Sequence, residues 1–200
     1  MRARASRRGM LAAGTALAVA AVGAVVIAAT ASSHRTPAGT FAWLVPRPAP
    51  AAWRQLALPN GTAVLSYPPA LRPIGGDRDA VSVAQRSHSG AYLLYLNATP
   101  QQGDENLQRW AAFRLERLRS DDASSDHRVA AATGLRFRGG TGSCVIDNYV
   151  TRIDAHHYQE IACLVQGRHG ASVIVAAALA ARWSQARRLL EQAVAAYSVR

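Results

Sequence analysis

GSCVIDNYVTRIDAHHYQEIACLVQGRHGASVIVAAAL, residues 142–179, is the stretch that decides the fold of this 200-residue chain. It divides into three apolar runs, at residues 144–153, 157–167 and 171–179, which are separated by short polar connections. Runs of this length that are rich in Val and Ile and bounded by turn residues are typical of β-strands. Because the connections are too short for a crossover, we predict a three-stranded antiparallel meander.

The second connection, GRHG at residues 167–170, fits a hairpin with a two-residue loop. That loop length places Cys163 opposite Ile174 on one face and Leu164 opposite Val173 on the other. Both faces are therefore apolar. We expect the hairpin to lie in the middle of a sheet that is covered by a layer on each side.

The chain's two cysteines, Cys144 and Cys163, lie on neighbouring strands of this meander. They can form a disulfide if they are directly opposed or one pair apart diagonally, whereas a further slip in register separates them too far. Outside the cytoplasm, two cysteines in one small domain usually pair, so we predict the disulfide; two buried free thiols are the alternative. No CxxC motif is present, which argues against a redox-active dithiol.

Residues 1–31 combine a short basic start with an uncharged apolar run from Met10 to Ala31. The run is long enough to span a bilayer, which favours a retained anchor. The triplet at residues 29–31 also fits a signal-peptidase site, which would give a secreted protein. The arginine pair at residues 7–8 resembles a twin-arginine export motif, or serves the positive-inside rule. We predict a single-pass cell-membrane protein whose C-terminal domain lies outside the cytoplasm, with secretion after cleavage near Ala31 as the alternative.

Residues 32–52 contain four prolines among Ala, Thr and Arg, which predicts an extended spacer. Phe41, Trp43, Leu44 and Val45 interrupt it and would either enter the membrane interface or cover an edge of the domain. Residues 53–200 form the predicted extracytoplasmic domain.

The rest of this domain reads as short strands and two helices. Hairpins are predicted at residues 53–67, around Asn60-Gly61, and at residues 80–99. A helix is predicted from an N-cap at Asp104 to Arg119, then a loop at 120–126, short strands at 129–132 and 135–138, and a final helix at 182–197. Arg114 falls within the apolar stripe of the first helix; its guanidinium either reaches solvent or enters a buried ion pair or anion site. The pattern predicts an α+β domain with an antiparallel sheet in an α/β/α sandwich.

The basic composition is a weak indication of nucleic-acid binding. After residue 31 there remain 23 − 4 = 19 arginines against 12 acidic residues, hence a charge of +7, and the chain has no lysine. These arginines are dispersed, whereas nucleic-acid binding needs a concentrated stripe. We therefore predict no nucleic-acid partner.

No catalytic, cofactor or metal site can be assigned from the sequence. His156 and His157 are adjacent on a strand and point to opposite faces, so they do not chelate together with Asp154 and Glu160. The glycine-rich segment at residues 139–143 lacks the lysine of a phosphate loop and leads into a strand, which indicates a turn or bulge. Ser143 has no identifiable base. We predict no cofactor and no metal.

Several short segments carry a resemblance: YPP at residues 67–69, YLNATP at 95–100, GSCVID at 142–147 and EIAC at 160–163. They resemble a group of uncharacterised exported or membrane-anchored actinobacterial proteins. The element order from about Trp53 to Val199 is also similar to the Mog1/PsbP-like fold. Known members of that fold are assembly or interaction factors, some of them lipoproteins, although this chain lacks the lipobox cysteine. The resemblance implies a non-catalytic module and carries no site residues.

These observations predict a non-catalytic binding or assembly module of the cell envelope, tethered to the membrane by its N-terminal segment and facing an envelope protein partner. The alternative is a secreted hydrolase or transferase of unrecognised type. A deep pocket with converging polar groups favours an enzyme, whereas a flat apolar patch favours a protein partner.

Overall fold

A computed structural model of the chain describes residues 39–121 and 123–200. The predicted membrane or signal segment (1–31) and the first part of the predicted spacer lie outside the described residues. Within the described residues, no helix is both long and apolar enough to cross a membrane.

The described residues form ten strands and two α-helices. The strands are β1 (Arg54–Ala57), β2 (Ala63–Tyr67), β3 (Arg72–Ile74), β4 (Val81–Arg86), β5 (Tyr92–Pro100), β6 (Ala123–Phe137), β7 (Gly140–Thr151), β8 (His157–Gly167), β9 (Gly170–Leu179) and β10 (Ser198–Val199). The helices are α1 (Trp110–Asp121) and α2 (Trp183–Ala196), the latter preceded by a 3-10 turn at Ala180–Arg182. The predicted α+β class is confirmed.

Seven strands make one antiparallel sheet in the order β3-β4-β5-β9-β8-β7-β6. The predicted meander β7-β8-β9 lies within it, and the predicted register is confirmed, with Cys163 opposite Ile174 and Leu164 opposite Val173. A second, three-stranded sheet has the order β1-β2-β10. Strands β3 and β10 were not predicted because three and two residues are too few to show a periodic pattern.

The two helices cover opposite faces of the large sheet. Helix α2 and strand β2 share one apolar core with side chains such as Ile161, Ile174 and Ala176. Helix α1 shares a smaller core on the other face with Val145, Ala162, Leu164 and Val173, among others. This arrangement is the predicted α/β/α sandwich.

Helix α1 begins later than predicted. Asp104 is not its N-cap; instead the Asn106 side chain accepts a hydrogen bond from the Arg109 N–H at 2.9 Å. Glu105, predicted in the first turn, accepts the Gln102 N–H at 3.0 Å and closes the preceding loop. The Asn106 bond closes a turn ahead of the helix, and because a carboxylate and a carboxamide can both accept such a backbone N–H, the local sequence did not distinguish Asp104 from Asn106.

Strand β6 corrects the prediction of a loop followed by two short strands. The chain is extended over fifteen residues, and the register shifts at three points, one of them beside Gly134 at φ 69°. Each shift interrupts the alternation of apolar side chains, because a bulge moves the following residues to the other face. The interrupted pattern therefore looked like separate short segments.

Part of the predicted spacer belongs to the domain. Phe41 and Leu44 are buried in the core on the α2 side, and Trp43 packs against that core. The Arg47 N–H also donates to the carbonyl oxygen of Ala195 at 3.1 Å. Of the two alternatives for these residues, coverage of the domain is the one the structure shows.

The predicted disulfide is present. Cys144 and Cys163 are directly opposed on β7 and β8, with their Cα atoms 4.1 Å apart, and are joined by a disulfide. Both are buried in the core on the α2 side of the sheet. The bond therefore ties the middle strands of the sheet together.

Candidate functional site

The candidate site is a cleft on the α1 face of the large sheet. Helix α1 packs over β6 and β7 and leaves much of the same face of β5, β9 and β8 uncovered. A cavity of about 860 Å³ opens over this uncovered half, between α1 and the β7–β8 and β4–β5 turns. This volume lies within the range of roughly 300–1,000 Å³ that is typical of small-molecule sites.

The cleft floor lies along a row of directly opposed residues, of which Tyr95, Ala177 and Glu160 line the cleft. Tyr95 on β5, Ala177 on β9, Glu160 on β8 and Asp147 on β7 follow one another across four strands. Directly opposed residues of an antiparallel sheet project to the same face, so all four point toward the α1 side. Because Ala177 is small, it leaves a trough between Tyr95 and Glu160.

Arg114 of α1 closes one side of this floor with an ion pair. Its Nε and Nη2 atoms donate to the two carboxylate oxygens of Glu160 at 2.7 and 3.0 Å. Glu160 is fully buried, whereas the Arg114 side chain keeps 19% of its exposure and lines the cleft. Burial alone would lower the pKa of Arg114, but the Glu160 carboxylate outweighs that effect and raises it. Of the alternatives for Arg114, the structure shows the buried ion pair.

Asp147 lies beside this ion pair, in surroundings that are unusual for a carboxyl group. It is fully buried, and neither of its oxygens has a hydrogen-bond partner among the described residues. Burial raises its pKa well above the ordinary value, and the neighbouring Glu160 charge raises it further, against a smaller opposing effect of Arg114. Its burial and the neighbouring carboxylate therefore favour a protonated, neutral Asp147.

Four tyrosines surround the ion pair. The rings of Tyr149 and Tyr158 stack with their centroids 5.5 Å apart, and those of Tyr92 and Tyr95 lie 5.3 Å apart. The Tyr158 hydroxyl accepts a hydrogen bond from the Tyr92 N–H at 3.2 Å, which joins the two pairs. Burial raises the pKa of Tyr149 and of Tyr95, so both hydroxyls stay protonated at neutral pH.

The β7–β8 turn forms one rim of the cleft. Thr151 shapes it, because its hydroxyl donates to the Ile153 carbonyl oxygen at 2.6 Å and accepts the His156 N–H at 2.9 Å. Ile153 lines the mouth and is 79% exposed. An exposed isoleucine at the mouth of a polar cleft is well placed to contact a bound molecule.

The residues that the sequence raised as candidates are dispersed in the structure. His156 meets the edge of the Tyr158 ring at the cleft rim, His157 is exposed, and Glu160 is engaged by Arg114. In residues 39–121 and 123–200, no group of three His, Cys, Asp or Glu side chains could hold a metal ion. Ser143 is buried on β7, with its hydroxyl unpartnered among those residues.

Sequence reasoning missed the cleft although a signal for it was present. Asp147, Tyr149, Tyr158 and Glu160 interrupt otherwise apolar strands, and all four fall on the face of the sheet opposite the disulfide. Polar groups at buried strand positions need partners, so their common face pointed to a site. The partner Arg114, 46 residues away in sequence, could not be found from local pattern.

Comparison with known proteins adds information on the fold. No protein-family model matches the chain, and no curated protein matches it. Among solved structures, the cyanobacterial PsbP (CyanoP) of Synechocystis sp. PCC 6803 is similar, with a TM-score of 0.53 and 12% identity, over 76% of this chain and 94% of that chain.

Two further solved structures are similar at lower scores. LpqN of Mycobacterium tuberculosis, which is involved in cell envelope biogenesis, has a TM-score of 0.38 and 13% identity over 76% of this chain and 80% of that chain. PA94 of Pseudomonas aeruginosa, a protein of unknown function, has a TM-score of 0.46 and 12% identity over 70% and 92%. At these identities the likeness concerns the fold alone, and of the three the PsbP structure supports the predicted PsbP-like α+β fold. The resemblance to exported actinobacterial proteins stays a prediction.

Proposed function

We propose that this protein is a non-catalytic binding module of the cell envelope, which holds a small ligand in the cleft on the α1 face. The observation that carries the proposal is the cleft itself, with the Arg114–Glu160 ion pair on its floor and tyrosine rings around it. Concave sites with a few placed polar groups among aromatic side chains are typical of ligand binding.

The disulfide supports the envelope location. Cys144 and Cys163 are buried in the core and bonded, and disulfides persist in oxidising compartments. The N-terminal segment at residues 1–31, as a retained anchor or a cleaved signal, would deliver the domain to such a compartment. In this proposal the membrane is a partner through that segment, and an envelope protein is the recipient or donor of the ligand.

A secreted hydrolase or transferase is the second candidate, because a pocket with converging polar groups is also what an enzyme needs. The hydroxyls at the rim are engaged locally, however. Thr151 serves the β7–β8 turn, and the Ser89 hydroxyl pairs with that of Ser87 at 2.8 Å. Both Glu160 oxygens accept hydrogen bonds from Arg114 and the side chain is fully buried, so neither oxygen is placed to take a proton from a substrate. These contacts favour binding over catalysis.

Site-specific photo-crosslinking in intact cells of the native host tests the proposal. A benzophenone amino acid replaces Ile153 at the cleft mouth in the full chain, and Val129 on the edge strand β6 serves as the matched control, since both side chains are exposed. The intact mass of the recovered chain reports any adduct.

We expect an adduct with an envelope component at position 153 and none, or a different one, at position 129. Absence of an adduct at position 153, or the same adducts at both positions, would contradict a ligand site at the cleft. If the mass of the adduct changes during a chase in the wild-type chain, but not in a chain carrying Arg114→Met/Glu160→Met, the enzymatic candidate would be favoured instead.

A further inference from the structure

We infer that the outer surface of helix α2 docks on an anionic lipid bilayer, so that the cleft on the opposite face of the sheet points away from the membrane. This orientation rests on the proposed function, in which residues 1–31 hold the chain at the membrane, and it adds a second contact to that segment. The charge distribution, the side chains around α2 and the point where the chain enters the domain support it.

The positive charge of the domain is concentrated on one face of the large sheet. We call residues 39–71 and 180–200, which hold the small sheet and α2, the α2 layer; their buried side chains, such as Phe41, Leu65 and Leu190, belong to the core on the α2 side. This layer contains six arginines and one acidic residue, hence a side-chain charge of 6 − 1 = +5. Residues 72–179 contain twelve arginines and eleven acidic residues, hence only 12 − 11 = +1. The arginines are dispersed in sequence, but their uncompensated charge lies in the α2 layer.

Four exposed arginines lie along α2, and we call them the α2 surface: Arg47, Arg182, Arg187 and Arg188. The last three fall within about two turns of the start of the helix. Arg47 lies at the other end, because its N–H donates to the Ala195 carbonyl oxygen. Glu191 on the same helix pairs with Arg187 and keeps only 14% of its exposure, whereas Arg187 keeps 52%. The α2 surface therefore presents positive charge to its surroundings.

The stability of the helix does not explain this charge. Arg182 occupies the N-cap position without a side-chain cap bond, and the first turn of α2 holds no acidic residue. The partial charge at a helix N-terminus is positive and favours acidic side chains. A charge pattern that opposes the local preference is expected where a surface has another role.

The α2 layer also carries the side chains that suit a lipid interface. Val45, two residues before Arg47, is 60% exposed, and Trp53 and Trp183 are only partly buried against the core. Three of the chain's four tryptophans lie in this layer. Tryptophan favours the membrane–water interface, and arginine can lay its stem on apolar groups while its guanidinium meets anionic headgroups. This mixture of side chains fits a bilayer better than a purely polar acidic partner.

The chain enters the domain through the same layer. The described residues begin at Gly39, and Phe41 is buried in the core on the α2 side. From Ala31, the end of the apolar run, to Gly39 there are 39 − 31 = 8 residue steps, which span at most about 29 Å. An anchor that ends at Ala31 therefore keeps this entry point near the bilayer. A weak surface attraction is then sufficient, because the tether supplies a high effective concentration.

Docking through α2 has a consequence for the cleft. Helices α1 and α2 cover opposite faces of the large sheet, and the cleft lies on the α1 face. With the α2 surface on the bilayer, the cleft opens toward the envelope. The ligand would then be exchanged with an envelope component on that side of the domain.

The test uses the full chain reconstituted in nanodiscs of phosphatidylcholine, with or without phosphatidylglycerol. A fluorescent amino acid replaces Ser184 on the exposed side of α2, and Ala112 on the exposed side of α1 is the matched control. A nitroxide on a lipid headgroup quenches a fluorophore that lies on the bilayer, so quenching reports the ratio of docked to undocked domain. Each sample is measured at low and at high salt, since salt screens exposed charges.

Two double variants locate the contact. Arg182→Gln/Arg188→Gln removes two arginines of the α2 surface, and Arg78→Gln/Arg109→Gln makes the same change in charge at exposed positions outside the α2 layer. In anionic discs, the first should lower the ratio of docked to undocked domain by about tenfold or more, and the second by less than about threefold. A cooperative melt shows that each variant is folded.

Quenching at position 184 that requires phosphatidylglycerol, falls with salt and is lost in the α2 variant supports the inference. Equal quenching at position 184 in both kinds of disc, equal quenching at positions 112 and 184, or equal behaviour of the two double variants would overturn it. So would a soluble poly-glutamate that shifts the emission at position 184 while anionic discs do not quench it, because the occupant would then be an acidic protein.

The same experiment separates the docking surface from the proposed function. A chain that does not stay with the discs would reject the membrane segment, and the docking with it. A chain that stays with the discs but is not quenched at position 184 would reject the α2 surface alone. The adduct at position 153 in cells reports on the cleft independently of both results.

Discussion

Asp147 shows how strongly a single residue can depend on its surroundings. Its folded-state pKa is raised because it is buried, unpartnered among the described residues and beside Glu160. The native state therefore keeps a proton that the unfolded chain releases above a pH of about 4. The contribution of Asp147 to the free energy of unfolding is therefore fully present below that pH, and it is lost as the pH rises through the folded-state pKa.

We predict that Asp147→Asn removes the decrease in the free energy of unfolding that Asp147 causes as the pH rises. In wild type, this group should lower the free energy of unfolding by up to about 1.4 kcal/mol per pH unit within that window. The variant should be more stable than wild type at pH 7, with the difference growing as pH rises. Urea unfolding from pH 4 to 9 measures both curves; parallel curves would show that Asp147 ionises as freely when folded as when unfolded.

Gly140 is a residue whose lack of a side chain is required. A Cβ atom there would lie 2.1 Å from the Gln166 carbonyl oxygen and 2.7 Å from Val199 Cγ2 of β10. The glycine segment at residues 139–143 is therefore a site of close backbone approach, in agreement with its interpretation as a turn that leads into a strand.

We predict that Gly140→Ala destabilises the protein by about 1–3 kcal/mol, because backbone must move to relieve the overlap. Gly75→Ala is the matched control, since a Cβ atom at Gly75 meets nothing within 4 Å. It should change the free energy of unfolding by less than about 0.5 kcal/mol. Equal effects of the two substitutions in thermal unfolding would contradict the packing of β10 described above.

At the scale of elements, the Arg114–Glu160 pair connects α1 to β8. Removing one partner leaves a buried charge, so Arg114→Met should cost about 3–5 kcal/mol. The double variant Arg114→Met/Glu160→Met should recover most of that loss. Arg117→Met on the same helix is the control, because its pair with Asp121 is exposed and should contribute less than about 1 kcal/mol.

Urea unfolding of the four proteins forms the test. A single Arg114→Met variant that is as stable as the Arg117→Met control would mean that the Arg114–Glu160 pair contributes no more to stability than an exposed pair. A double variant that is no better than the single one would mean that the ion pair itself, and not relief of an unpaired charge, maintains the docking of α1.

The disulfide, like the Arg114–Glu160 pair, connects two elements of the fold. It joins β7 to β8 across a sequence separation of 19 residues. In the chain-entropy model, a loop of this size contributes about 3 kcal/mol. We predict that Cys144→Ala/Cys163→Ala lowers the free energy of unfolding by about that amount. Wild-type protein whose disulfide has been reduced while unfolded should show the same decrease.

Two observations check this prediction. Alkylation under denaturing conditions without reductant should modify no cysteine in the chain recovered from cells, and unfolding with and without reductant should differ in midpoint. Two alkylated thiols without reductant would exclude the bond in the native compartment.

At the scale of the whole molecule, the sequence predicted the middle of the fold better than its edges. The two-residue loop at residues 168–169 fixed the β8–β9 register, and the apolar faces on both sides required two covering layers. The helical faces of α1 and α2 followed from their periodicity, and Trp110, Leu115 and Leu190 are buried as expected.

The features that the sequence did not predict depend on contacts between distant parts of the chain. Bulges in β6 broke its alternation, and α1 begins only at Trp110, beyond the turn that the Asn106 side chain closes. The cleft exists because α1 is only twelve residues long and covers one part of a seven-stranded sheet. No local pattern reports which part of a sheet a helix will leave uncovered.

The proposed function requires that the ion-paired floor of the cleft holds a ligand in the envelope. The most direct test is the yield of the position-153 photo-adduct in intact cells, compared between the full chain and the same chain carrying Arg114→Met/Glu160→Met. We expect the altered chain to accumulate with its disulfide intact while the yield of the adduct falls about tenfold or more. An undiminished adduct in the altered chain would contradict it.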